Sequence, residues 1–262
     1  MFAHEIFIRY TPKDMFRNSS PKAQTEHLPD VIIVYGPPLA GKGTQGAFLR
    51  RLLPEYFHLD FGTQLRAFVA EHEASEKRSY RARAIRLKRD MEAGKAVLTK
   101  DLRFVVEDSI MTALQNGQKL LVEGPGRLLE EARWLSKYIG SQELEVAIFH
   151  LHINLEETLR RAQRRWYCPG LDTPFMSYDK AKAQCTTGKP YQRPEDTDPG
   201  INMRRYEALY HSQYAAILQE YQLNAKSTIL TLDAKANVRA VSKIVYQYLQ
   251  LFYGLNRPLP KK

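Results

Sequence analysis

Val31-Ile32-Ile33-Val34-Tyr35 is a continuous apolar, β-branched run, unbroken by a polar residue and closed by Gly36. A strand buried on both faces reads this way, because neither side of its pleat meets water. Four further runs share the character: Tyr56–Asp60, Lys119–Glu123, Val146–Ile153 and Thr228–Asp233. Longer stretches with apolar residues at helical spacing separate them, over 43–53, 100–116, 155–166 and 236–251. Strands alternating with helices predict an α/β fold, with a parallel sheet of about five strands, right-handed crossovers and helices on both faces.

Two stretches break the alternation. Residues 63–98 read as helical, and are strongly basic between Lys77 and Arg89. Residues 166–200 hold Pro169, Gly170, Pro174, Gly188, Pro190, Pro194, Pro199 and Gly200, and read as an irregular flap. Residues 1–29 show no sustained period and read as an extension to the domain over 30–262.

Composition narrows the class. Of 262 residues, 44% are hydrophobic, which supplies a core, and the formal charge of +10 points to anionic partners. Phosphorylated small molecules and nucleic acid both qualify. No apolar run reaches 18 residues, so no membrane span is expected. His4 and Glu5 interrupt what a signal peptide would need, and a cytoplasmic location is expected. Cys168 and Cys185 are too few for a disulfide framework and lack the C-x-x-C pairs of a zinc site. A reducing compartment is therefore the default, and no structural zinc is expected.

The chemistry starts where the first run ends. Gly36-Pro37-Pro38-Leu39-Ala40-Gly41-Lys42-Gly43-Thr44 follows a strand and opens a helix. Its glycines let the backbone turn tightly, so that N–H groups converge on phosphate oxygens. The helix N-terminus adds a favourable dipole. Lys42 would place a full charge at the β- and γ-phosphates, and Thr44 would give a hydroxyl to Mg²⁺.

The run GPPLAGKGTQ resembles the opening of adenylate kinases and the wider nucleoside monophosphate kinases. The resemblance continues in order over roughly residues 30–250. His58-Leu59-Asp60-Phe61-Gly62-Thr63-Gln64-Leu65-Arg66 resembles the segment that holds the monophosphate acceptor. Met91-Glu92-Ala93-Gly94-Lys95-Ala96-Val97 resembles the end of the acceptor-binding insertion. Leu121-Val122-Glu123-Gly124-Pro125-Gly126-Arg127 resembles the third strand and its turn. What it implies is a phosphate-loop sheet with an acceptor-binding insertion near 63–98 and a lid near 166–200, an ATP and monophosphate substrate pair, Mg²⁺ carried with ATP, and a monomer.

The same resemblance assigns roles. Gly36, Leu39, Ala40, Gly41, Lys42, Gly43, Thr44 and Arg161 would bind ATP. Phe61, Gly62, Arg66, Val97, Gly124, Arg127 and Glu131 would bind the acceptor. Lys42, Arg127, Arg165, Arg193 and Arg205 would serve transfer, with Arg204 as an alternative register for Arg205. Thr44 and Glu123 would hold Mg²⁺, largely through water.

The chain also departs from the pattern. Leu39, Phe61 and the Pro125-Gly126 pair are unusual at their positions, and Glu123 stands where the family usually has Asp. Glu131 stands where adenylate kinases have the Gln that reads adenine. A carboxylate only accepts hydrogen bonds, so it suits the N1–H and N2–H₂ edge of guanine better than adenine N1. These departures leave a second reading open, a weakly active nucleotide-binding protein whose basic surface serves a nucleic-acid or protein partner.

Overall fold

The structure is a computed structural model and describes residues 26–93, 95–125 and 128–260. Its strands are β1 (Val31–Tyr35), β2 (Phe57–Asp60), β3 (Leu120–Glu123), β4 (Glu145–His152), β5 (Trp166–Cys168), β6 (Leu171–Phe175) and β7 (Lys226–Asp233). All but β5 and β6 form one parallel sheet ordered β2-β3-β1-β4-β7. The helices are α1 (Lys42–Leu52), α2 (Phe61–His72), α3 (Arg78–Glu92), α4 (Thr99–Gln115), α5 (Leu129–Ser141), α6 (Leu155–Ala162), α7 (Tyr178–Gln184), α8 (Pro194–Thr197), α9 (Pro199–Tyr206), α10 (Tyr214–Asn224) and α11 (Val238–Tyr253). A π-helical turn, Glu207–His211, follows α9.

The unbroken apolar run of β1 has the reason the sequence suggests. Val31, Ile33 and Tyr35 join a core with Leu65 of α2, Val106 of α4, Leu135 of α5 and Ile217 of α10. Ile32 and Val34 face the other way, into a core with Leu49 of α1 and Val245 of α11. Successive side chains thus leave for opposite layers, and both layers are dry. This is the architecture of a phosphate-loop NTPase. After β1 the chain fills the β3–β2 side and then crosses to β4 and β7, so the carboxyl end of β1 lies at a switch point where open α/β sheets hold ligands.

Three expectations are corrected. The helix foreseen over 155–166 ends at Ala162. Gln192 Nε2 donates to the carbonyls of Gln163 (3.1 Å) and Arg165 (3.0 Å), drawing the chain out of the helix. The flap over 166–200 is irregular only in part, over 185–193. Pro169-Gly170, with Gly170 at φ +79°, turns β5 back onto β6 and pairs Cys168 with Leu171. Finally, the two cysteines are not separate thiols: a disulfide joins Cys168 to Cys185 and ties β5 to the end of α7. A count of two excludes a framework of bridges, but not a single one.

Of the extension read over 1–29, residues 1–25 lie outside the described residues. The rest is packed. Leu28 is buried, His27 N–H donates to Tyr253 O (3.0 Å), and Tyr56 donates its hydroxyl to Pro29 O (2.5 Å). Arg257 holds Glu26 (2.6 Å) and Glu55 (2.8 Å). Among the described residues no helix is long and apolar enough to cross a membrane.

Candidate active site

The loop between β1 and α1 is shaped by backbone that few residues adopt. Gly36 has φ +150°, and a Cβ there would fall 2.3 Å from Leu151 O of β4. Gly41, at φ +96°, caps α1. Leu39 sits in the left-handed region at φ +65° without being glycine, a conformation that costs an L-residue on the order of 1 kcal/mol. Ala40 is buried, whereas Gly43 and Thr44 are exposed at the start of α1. Lys42 folds back across the loop and donates to Gly36 O (2.9 Å) and Pro37 O (2.7 Å).

A cavity opens beside this loop. Tyr35, Gly36, Pro38, Lys42, Gly124, Pro125, Arg205 and Leu209 line it. The fold therefore brings Gly36, Lys42, Gly124 and Arg205, distant in sequence, around one space. It also separates the two registers considered for the last arginine: Arg205 lines the cavity, and Arg204 is exposed. Gly124, at φ +71°, donates its N–H to Val34 O (3.2 Å), which closes β3 onto β1 at the cavity wall. Arg127 lies outside the described residues.

Glu123 ends β3 almost fully buried, and His58 Nε2 lies 2.5 Å from its Oε1. The carboxylate is pressed against the first turns of α1. A Cβ on Gly43 would lie 3.6 Å from Glu123 Oε2, and one on Gly46 would collide with Oε1 at 1.6 Å. Gly46 and His58 were not foreseen as part of the site. His58 is visible in the sequence within the run that ends at Arg66, but its pairing follows from the parallel β2–β3 register, in which Asp60 lies opposite Glu123.

Thr44 and Glu123 are too small a donor set for a resident metal. They fit an ion that arrives on phosphate oxygens and keeps most of its water. No group of three or more His, Cys, Asp or Glu side chains able to hold a metal occurs among the described residues.

Arg161, on α6, is fixed in three directions. It donates to Glu157 (2.7 Å), to Leu39 O (3.1 Å) and to Ala234 O (2.5 Å). The guanidinium thus bridges the phosphate loop and the turn after β7. The hydrogen bonds from Arg160 and Arg161 hold the Glu157 carboxyl down at about 2, against the opposing effect of burial.

On the acceptor side, Asp60 caps α2 by accepting from Gly62 N–H (2.9 Å) and the Thr63 hydroxyl (2.7 Å). Arg66 donates to Thr63 Oγ1 (2.9 Å) from a side chain 44% exposed, so its charge is open to a ligand. Phe61 and Val97 are buried in the same core as Leu65 and Leu87. What these two can offer a ligand is main chain. Glu131, in the first turn of α5, is 2% exposed. Its charge adds to the effect of burial in pushing up the Tyr35 and Tyr221 hydroxyls.

Arg165 and Arg193 are not among the residues that line the cavity beside the phosphate loop. Each guanidinium lies over the ring of Tyr167, at 5.0 and 4.0 Å from its centroid. Arg165 also lies 3.8 Å from the buried carboxylate of Asp196, in α8. In the basic stretch, Arg83 and Arg86 bind Asp101 (2.9 and 2.8 Å), Lys88 binds Glu73 (2.8 Å) and Arg89 binds Asp90 (2.9 Å). Much of that charge is spent on tying α3 to α2 and α4.

A family profile described as an AAA domain matches residues 35–167. Among curated proteins, the adenylate kinase of Dehalococcoides mccartyi (strain BAV1) is 25% identical over 219 residues, spanning 81% of this chain and 94% of that one. The adenylate kinase of Petrotoga mobilis is 26% identical over 230 residues, spanning 84% and 98%. That of Streptomyces avermitilis is 27% identical over 222 residues, spanning 81% and 93%.

Proposed function

The chain belongs to the AAA domain family as a divergent, adenylate kinase-like member, and we propose that it catalyses reversible transfer of the γ-phosphoryl group of Mg·ATP to a nucleoside monophosphate. The observation that carries this reading is the cavity in which Lys42 of the phosphate loop and Arg205, from far along the chain, face one space. AMP is the first acceptor, on the strength of the relatives' printed names. GMP is the second, favoured by the carboxylate of Glu131, and a mismatched buried polar pair can discriminate between the two by about 10⁴.

In this reading Lys42 exchanges the carbonyls of Gly36 and Pro37 for the β- and γ-phosphates, and the N–H groups of Gly41, Gly43 and Thr44 close around them. The donor base lies against Arg161, whose plane is already fixed by its three partners. Arg66 and Arg127 hold the acceptor's phosphate. An oxygen of that phosphate attacks the γ-phosphorus in line, and the bond to the bridging oxygen of ADP breaks. No protein nucleophile takes part. Arg165, Arg193 and Arg205 offset the charge shared by the two phosphates at that moment, each worth on the order of 10²–10³ in rate. Thr44, and Glu123 through water, would hold the Mg²⁺ that comes with ATP, and the ion would supply further charge neutralisation at the phosphates. The segment near 166–200 acts as a lid that excludes water, which would otherwise take the phosphoryl group.

The test is direct. The protein is mixed with Mg·ATP and AMP, GMP, CMP or UMP in turn, and diphosphate formation is followed. Turnover with a purine monophosphate, abolished in Lys42→Ala, is the expected result. ATP binding with no turnover on any acceptor would sink the kinase reading in favour of a binding protein.

A further inference from the structure

We propose that Tyr167 is a positioning residue for phosphoryl transfer, holding Arg165 and Arg193 side by side as one dication ready to meet the phosphates. The inference rests on the kinase reading above.

Tyr167 and Tyr191 form an antiparallel bridge, N–H to carbonyl in both directions at 2.8 and 2.9 Å. The bridge is isolated, and Arg165 and Arg193 flank it two residues out, where Arg165 N–H turns to Ala162 O (3.0 Å) and Arg193 O accepts from Asp196 N–H (2.8 Å). Both guanidinium groups nevertheless converge on one ring, that of Tyr167. Two like charges brought to one ring repel. Something must offset this, or the arginines would splay apart when no phosphate is bound.

Two groups are placed to do so. The Tyr167 ring, whose π-face is negative, lies 5.0 Å from the Arg165 guanidinium and 4.0 Å from that of Arg193. The buried Asp196 carboxylate lies beside Arg165. Tyr167 is fully buried, so its ring has little freedom to turn away. Its neighbour Cys168 is bonded to Cys185, and Gln192 ties the returning strand to the carbonyls at 163 and 165. The ring is thus anchored through its own backbone and through the residues beside and opposite it. In effect the repulsion is met while the protein folds, and the paired charge does not have to be assembled at each turnover.

Three proteins are compared, wild type, Tyr167→Phe and Tyr167→Leu, with Mg·ATP and whichever monophosphate the wild type accepts. Tyr167→Phe keeps the ring face and retains turnover within about threefold. Tyr167→Leu keeps bulk but loses the face, and its kcat falls about 10- to 100-fold while KM for both substrates changes less than about threefold. Proton NMR of wild type, with Arg165→Lys and Arg193→Lys for assignment, shows the side-chain resonances of both arginines shifted upfield by the ring.

Equal turnover in Tyr167→Leu and wild type, or equal loss in both variants, would overturn the proposal and leave the kinase reading standing. So would arginine resonances with no ring shift, which decides the matter even if Tyr167→Leu does not fold. A wild type inactive on every monophosphate would bring down the kinase reading, and this proposal with it.

Discussion

His150 shows how one side chain sets a pH limit on the fold. It is buried in β4, 2.9 Å from the Tyr210 hydroxyl and 3.2 Å from Thr231 Oγ1, with its ring stacked 5.6 Å from Tyr35. Burial, and then the neighbouring His152, push its pKa from 6.5 down to about 3. An unfolded chain takes up this proton near pH 6.5, whereas the folded chain refuses it until far lower. The unfolded state therefore binds more protons in that window, and stability falls as the pH drops from about 6.5. The loss from this group is on the order of 2 kcal/mol by pH 5. Urea unfolding at pH 7 and pH 5 should show it, and His150→Asn should lose less over the same interval. An identical loss in the variant would mean that other groups govern the acid limb.

At the scale of elements, the disulfide makes a local prediction. It closes a loop of 17 residues of sequence separation around the β5–β6 hairpin and α7. In the chain-entropy picture a constraint of that length is worth about 3 kcal/mol to whatever unit it restrains. Reduction with a dithiol should therefore raise amide exchange in 166–184 while β1, β3 and β4 stay protected. Loss of protection across the sheet as well would show that the hairpin does not open on its own.

This is also the scale at which the sequence was easiest and hardest to read. The central strands β1, β3 and β4 were legible because a strand buried on both faces must be almost continuously apolar, whereas the edge strands β2 and β7 are only partly buried and carry polar residues. The hairpin was not legible, since it depends on a Pro169-Gly170 turn that also reads as a loop, and on two sulfurs whose proximity no count reveals. The phosphate loop was legible for the same local reason that it binds phosphate. The contact between His58 and Glu123 was hidden, because it exists only once β2 and β3 align. The aromatic platform under Arg165 and Arg193 was hidden likewise, because it needs the bridge between Tyr167 and Tyr191.

The whole molecule decides what no segment can. Arg204 and Arg205 are indistinguishable as neighbours in sequence, yet α9 delivers only Arg205 to the cavity that holds Lys42. Arg205→Ala should lower transfer by about 10²–10³, while Arg204→Ala stays within a few-fold of wild type. Steady-state kinetics on the two variants checks this, and a larger loss in Arg204→Ala would move the catalytic register by one residue. The hydrogen bond between His27 and Tyr253, with Arg257 clasping Glu26 and Glu55, has a separate bearing on architecture. It brings the segment at 26 alongside the segment at 257, so that incoming and outgoing chain share one doorway. A domain wired like this can be spliced into a surface loop of a host protein, or recut so that those two points are joined and new termini open elsewhere, while the sheet stays as it is.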